Sequence, residues 1–305
     1  MVEAERRFGI QPFGQAVELN LEEHEYRRIG TAKRFLLDVL RFEENYLLVL
    51  KAYYELERNS NDETLSSLLF REHSYDHRQN SLLQKDLKAL AFLAAFRSYK
   101  DRLPKFNGQS RPGSVYSKSG NLWDEALLAS PEFWACDRLR NFAIHRGSSV
   151  RFMASGGRWD QTREHSEAYT HFNFSVVELK DYLLERGEKA DFCTNLREDY
   201  GERVNVFIVF RKALSKLGGI HNGVRGLLSE EYQTCDKAYR EAVDKIESLV
   251  PGCRTGSAVA VVADQVADEI ALFDELPDRA ARLARRAVLE NVEKHYITSR
   301  LDHGN

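Results

Sequence analysis

Ser130-Pro131-Glu132-Phe133-Trp134-Ala135-Cys136-Asp137-Arg138-Leu139-Arg140-Asn141-Phe142-Ala143-Ile144-His145 declares a helix in its first three residues. A serine can accept a bond from an early backbone N–H. A proline is well placed at the first helical position, where its missing N–H is not needed. An acid in the first turn suits the positive end of the helix dipole. Phe133, Trp134, Cys136 and Leu139 recur on one face, and Gly147 marks the expected end. Outward from this segment the same helical grammar covers most of the chain.

Asn20 and Glu23 have the spacing of a capping box. Ala32, Phe35, Leu36, Val39, Leu40, Leu47, Leu50 and Tyr53 follow at helical spacing, with Gly30 as a possible break. A second helix is expected after Asn61-Asp62 and a third from Ser81 to Leu103, ended by Pro104. Residues 105–121, rich in Gly, Ser, Asn and Lys, read as a long loop. Residues 149–175 change character. Phe172, Phe174 and Val176 alternate with polar neighbours after the turn signal Ser155-Gly156-Gly157, as in a short β hairpin. Ser175 and Glu178 then read as a capping box opening a helix that stops at Gly187. Further helices are expected from Phe192 to Gly218-Gly219, from Ser229 to Pro251-Gly252, and as a final pair split at Pro277. The expected fold is mainly α. A helical bundle spans 20–150, and a hairpin plus a second helical region spans 151–305, the two packing as one domain or as two.

The chain has 305 residues, 43% of them hydrophobic and 30% charged, enough for a real core. Its net charge of −3 argues against a protein that coats nucleic acid nonspecifically, yet allows a local basic pocket. No apolar run reaches the length of a membrane span. Cys136, Cys193, Cys235 and Cys253 form no CxxC pair. With a charged N-terminus in place of a signal peptide, they read as reduced thiols of a soluble, cytoplasmic protein.

Phosphate loops, dinucleotide fingerprints and nucleophile elbows are absent from the sequence. His73 and His77 are four apart and could share a helix face, but no HExxH glutamate accompanies them and charged residues surround them. His165 and His171 are similarly isolated. No metal and no cofactor is called for. The remaining candidate is Arg140 followed after four spacers by His145, with the polar Asn141 directly after the arginine and apolar Phe142, Ala143 and Ile144 between. Spacing alone is weak, because with four to six spacers allowed Arg71 to His77, Arg158 to His165 and Arg138 to His145 match too. Context favours Arg140: Glu72 would oppose phosphate binding, and Arg158 stands in a Gly-rich stretch.

Residues 20–150 resemble the HEPN superfamily, helical-bundle domains that carry an R-x(4–6)-H motif and often act as ribonucleases. The resemblance implies metal-independent cleavage of RNA, with Arg140, Asn141 and His145 as catalytic residues and Arg138 and Arg146 as RNA contacts. It implies products with a 2′,3′-cyclic phosphate and a 5′-hydroxyl, and a homodimer whose two motifs line one cleft. A role as toxin or phage-defence effector with a regulatory or antitoxin partner also follows from resemblance. The residue types suit that chemistry. Histidine moves protons near neutral pH, and arginine offers a permanently charged fork to phosphate oxygens. On an ideal helix Asn141 and His145 share a face, whereas Arg140 lies about 140° from His145 and must reach around. Arg138, seven residues from His145, competes for the phosphate role. Two other readings stand beside this one. The chain is a non-catalytic helical module that binds nucleotide, RNA or protein, or it is a helical scaffold whose terminal cations merely answer the helix dipole.

Overall fold

The apolar repeat that begins near residue 26 is carried by one uninterrupted helix, α1, Glu23–Phe70. Tyr26, Ile29, Ala32, Phe35, Leu36, Val39, Phe42, Tyr46, Val49 and Leu56 are its buried stripe. Gly30 lies inside that stripe, where burial outweighs a weak local propensity, and the helix also runs on through Asn61-Asp62. The computed structural model describes residues 6–15, 17–70, 74–103, 115–145, 152–160, 168–178, 196, 198–199, 201 and 203–286. Around α1 come β1 (Arg6–Pro12), β2 (Leu19–Leu21), α2 (Tyr75–Asp101), α3 (Val115–Ala129), α4 (Pro131–His145), β3 (Phe152–Asp160), β4 (Ala168–Glu178) and β5 (Arg203–Asn205). The chain continues with α5 (Val206–Leu249), β6 (Thr255–Val262), β7 (Gln265–Phe273) and α6 (Glu275–Ala284). The protein is mainly α, with two small antiparallel sheets among the described residues. No described helix is long and apolar enough to cross a membrane.

The chain folds as two compact units that are interleaved in sequence rather than divided at residue 150. The first unit holds the described residues up to Glu44, residues 115–117, and those from Val224 to 286. The second holds those from Asn45 to Leu103 and from Lys118 to Gly223. The reason is the length of α1 and α5: each is long enough to serve both cores, so a linear boundary cannot separate them.

In the first unit a sheet of order β2-β1-β6-β7 packs with the early part of α1, the late part of α5, and α6. Phe8 faces Ala260 and Ile10 faces Ala258 across the central strand pair. β6 is buried along nearly its whole length, so its residues show no polar alternation. Residues 255–273 therefore form a hairpin where sequence reading expects helix. The β6–β7 turn uses Ala263 and Asp264, both at positive φ, instead of the glycine that normally betrays such a turn. Gly256 is required on β6: a Cβ there would lie 2.2 Å from the Gln11 carbonyl oxygen of β1. β1 and β2, absent from the sequence reading, complete the sheet, and Asn20 belongs to β2 rather than to a helix cap. The α1 start is secured instead by the Glu25 carboxylate, which accepts from the Glu22 backbone N–H at 3.3 Å. After β7, Pro277 falls in the first turns of α6 and splits nothing. Within this unit α1 and α5 run antiparallel, tied by Lys245 to Glu25 at 2.7 Å, Arg28 to Glu241 at 2.5 Å and Arg225 to Glu43 at 2.7 Å.

In the second unit the later part of α1, α2, α3, α4 and the start of α5 enclose an aromatic core. Trp123 is fully buried, with ring centroids 4.7 Å from Phe133 and 5.2 Å from Phe96. Residues 115–121 are the first turns of α3, not loop. The buried Ser119 and Trp123 hold this polar-looking stretch in the core. α5 passes through Gly218-Gly219 unbroken because Leu217, Ile220 and the wholly buried His221 pack on either side. The expected hairpin is real and longer than expected: Phe152 to Asp160 pairs with Val176 to Ala168. Ser175 and Glu178 extend β4 instead of capping a helix, because β5 supplies a further ladder from Val176–Asn205 to Glu178–Arg203. The helix expected to end at Gly187 lies outside the described residues after Glu178.

Trp123→Ala is expected to lower the unfolding free energy by about 3–5 kcal/mol, as for other large aromatic truncations in cores. Trp123→Phe should lose distinctly less. Urea unfolding of the full chain measures both.

Candidate functional site

α4 begins as its sequence demands. The Ser130 hydroxyl oxygen accepts from the Phe133 backbone N–H at 3.2 Å, and the same hydroxyl donates to Glu132 at 3.1 Å. Glu132 is buried and pairs with Lys212 at 2.9 Å. Phe133, Trp134, Cys136 and Leu139 fill the inner face. Beside them Asp137 accepts from Arg97 at 2.7 Å, which ties α4 to α2 within the second unit. Burial pushes the Cys136 thiol well above its usual range, so it is an inert core group. The remaining face carries Arg138, Arg140 and Asn141 towards the helix C-terminus, where the dipole favours cations.

Arg140 and Asn141 are brought together. The Arg140 guanidinium reaches round the helix and donates from Nη1 to the Asn141 side-chain oxygen at 2.9 Å. Both residues are half-buried. Arg140 Nε is buried and has no hydrogen-bond partner among the described residues. A buried donor left unpaired costs roughly 1–3 kcal/mol. Arg138 takes a different course. It is exposed, and its guanidinium carbon lies 5.8 Å from the Trp134 ring centroid, one turn back. His145 is the last residue of α4, one helical turn after Asn141. Arg146 lies outside the described residues.

Three polar residues of α1 that could have oriented a catalytic histidine are engaged with other cations. Glu43 is bound by Nη2 and Nε of Arg225, at 2.7 and 2.8 Å, and Glu44 by Arg279 at 2.6 Å, both in the first unit. Asn45, in the second unit, accepts from Arg102 at 3.1 Å. His77 lies in the first turn of α2, where its backbone N–H donates to Ser74 at 3.2 Å. His73 and His165 lie outside the described residues, and His171 belongs to β4.

The second unit also holds polar clusters that the sequence did not reveal. Arg211 grips Glu57 with two bonds of 2.7 and 2.9 Å and reaches the Tyr53 hydroxyl at 3.1 Å. Burial, then the Glu57 charge, pushes the Tyr53 hydroxyl far above its ordinary range. His221 stacks on Tyr46 with centroids 4.2 Å apart and shares a 2.9 Å hydrogen bond with the Tyr99 hydroxyl. Lys85, fully buried, pairs with Glu63 at 2.5 Å. Each partnership joins residues distant along the chain, so no local spacing could announce it. Compared with models of protein families, with curated proteins and with solved structures, the chain finds no match.

Ser130→Ala should destabilise the protein by roughly 1 kcal/mol through the lost cap, while Ser130→Asp should retain most of that stability. Thermal unfolding followed by circular dichroism distinguishes them.

Proposed function

We propose that the protein is a metal-independent endoribonuclease whose reaction is carried by the last turns of α4. The observation that supports this reading is the Arg140 guanidinium drawn round to Asn141, on a helix that ends at His145. Sequence geometry required Arg140 to reach towards the Asn141 side of the helix if it was to work with His145. Its bond to Asn141 lies in that direction, and a guanidinium can offer a charged fork to phosphate oxygens.

In the proposed reaction the RNA 2′-hydroxyl attacks the adjacent phosphorus. The 2′-O–P bond forms as the P–O5′ bond breaks. His145 takes the 2′ proton, and a proton passes to the leaving 5′ oxygen. Arg140 offsets the charge that grows on the non-bridging oxygens, and Asn141 holds its guanidinium in place. The products carry a 2′,3′-cyclic phosphate and a 5′-hydroxyl. Arg138 and Arg146 are assigned to the flanking RNA backbone. A homodimer with paired motifs, and a regulatory protein partner, belong to the same HEPN-like reading.

Purified protein incubated with RNA in EDTA tests the proposal. Cleavage should fall by about 10²–10⁴-fold in His145→Ala and comparably in Arg140→Ala, with a small loss in Arg138→Ala. Cleavage that persists in both of the first two variants overturns the site. Failure to cut any RNA overturns the enzyme and leaves a non-catalytic binding module. Light scattering should give the mass of a dimer.

A further inference from the structure

The first unit contains a cleft of about 700 Å³ between the beginning of α1 and the strands β1 and β7. That volume is in the range of sites for small organic ligands. Its helical wall is built at i, i+4 and i+3 spacing by Tyr26, Gly30 and Lys33. Gly30 is disfavoured in a helix interior, but a Cβ there would lie 3.0 Å from the Ile270 side chain of β7. The glycine thus lets strand and helix approach closely at the base of the cleft.

The charges around it are unevenly matched. Arg27 is tied to Glu23 one turn away, and Asp268 accepts from the Tyr26 hydroxyl at 2.9 Å. Arg6, Lys33 and Arg34 also line the cleft, and among the described residues none has a carboxylate oxygen within 4.0 Å. Arg34 is steadied by its own helix, donating from Nε to the Gly30 carbonyl at 3.3 Å, which leaves its two terminal nitrogens for a ligand. Arg6 lies over the Phe8 ring at 5.4 Å. Lys33 is half-buried, and burial lowers its affinity for its proton, with the Glu269 charge opposing. Arg6, Lys33 and Arg34 thus share this cleft with Asp268 and Glu269, yet none of the three is in ion-pair contact with a described carboxylate, which leaves positive charge there for an anionic ligand to answer.

We propose that this cleft binds a small phosphorylated molecule of mononucleotide size, its phosphate held by Arg6, Lys33 and Arg34. A phosphomonoester offers a dianion with three acceptor oxygens, which matches three unpaired cations better than a single carboxylate does. Asp268 and Glu269 on β7 provide acceptors for hydroxyl or amine donors elsewhere on the ligand. The site is independent of the ribonuclease reading: it uses no residue of α4.

Isothermal titration of the full chain with 5′-AMP, ribose 5-phosphate and adenosine tests this. At least one of the two phosphorylated probes should bind, and adenosine should bind more weakly by about tenfold or more. Lys33→Met and Arg34→Ala should each weaken the phosphorylated probe by about tenfold, a loss of one ion-paired contact. Arg7→Ala, whose guanidinium pairs with Asp264 at 3.2 Å outside the cleft, should bind as the native protein does. Circular dichroism verifies that both variants remain folded. Binding of neither phosphorylated probe, adenosine binding as tightly as AMP, or unchanged affinity in both cleft variants overturns the proposal.

Discussion

The antiparallel pairing of α1 with α5 is the constraint on which each compact unit depends. The paired residues are 154 to 220 positions apart in sequence, so this pairing is won only after a large loop-closure entropy has been met. In the first unit the seam is marked by ion pairs, with Arg225 bound to Glu43 through two nitrogens. Arg225 also donates to the Leu283 and Arg286 carbonyls at 3.3 Å, which satisfies acceptors at the end of α6. In the second unit the seam combines the Glu57–Arg211 fork with the stack of Tyr46 on His221. Buried ion pairs contribute little net free energy against an apolar alternative, but they penalise a slipped register severely. Their value here is to specify which turn of α5 meets which turn of α1.

Helix α4 is held by different means. Its inner face is apolar, its start is capped, and Asp137 anchors its middle to Arg97. These fixed points leave the C-terminal turns to present Arg138, Arg140 and Asn141. The helix end is electrically negative, which gathers cations there whether or not they serve chemistry. Arg140 and Arg138 differ in their surroundings. Arg140 bonds the neighbouring amide and retains a buried donor, whereas Arg138 lies over an aromatic ring and is exposed.

Much of the helical architecture was legible. The stripe of α1, the serine-proline start of α4, the stop of α5 before Pro251 and the β3–β4 hairpin all follow from periodicity and capping chemistry. The errors share a cause. Gly30, Gly218 and Gly219 look like breaks, yet packing on both sides carries the helices through them. Ser119 and its neighbours look like loop, yet Trp123 draws them into a core. β6 looks like helix because a strand buried on both faces loses its alternation, and Ala263-Asp264 conceals the turn that would have revealed the hairpin. The lining of the α1 cleft was out of reach for the same reason: its opposite wall comes from a strand read as helix.

The sequence by itself determined that the chain is mainly helical, where α4 starts, and that Arg140, Asn141 and His145 fall on its last two turns. These properties depend on interactions within a few residues, and local chemistry is written locally. Only the tertiary structure decided that α1 and α5 are single helices shared by two interleaved units, that a four-stranded sheet closes the first, and that the Arg140 guanidinium turns towards Asn141 rather than away. Those outcomes depend on burial and on partners far along the chain, which no window of sequence contains.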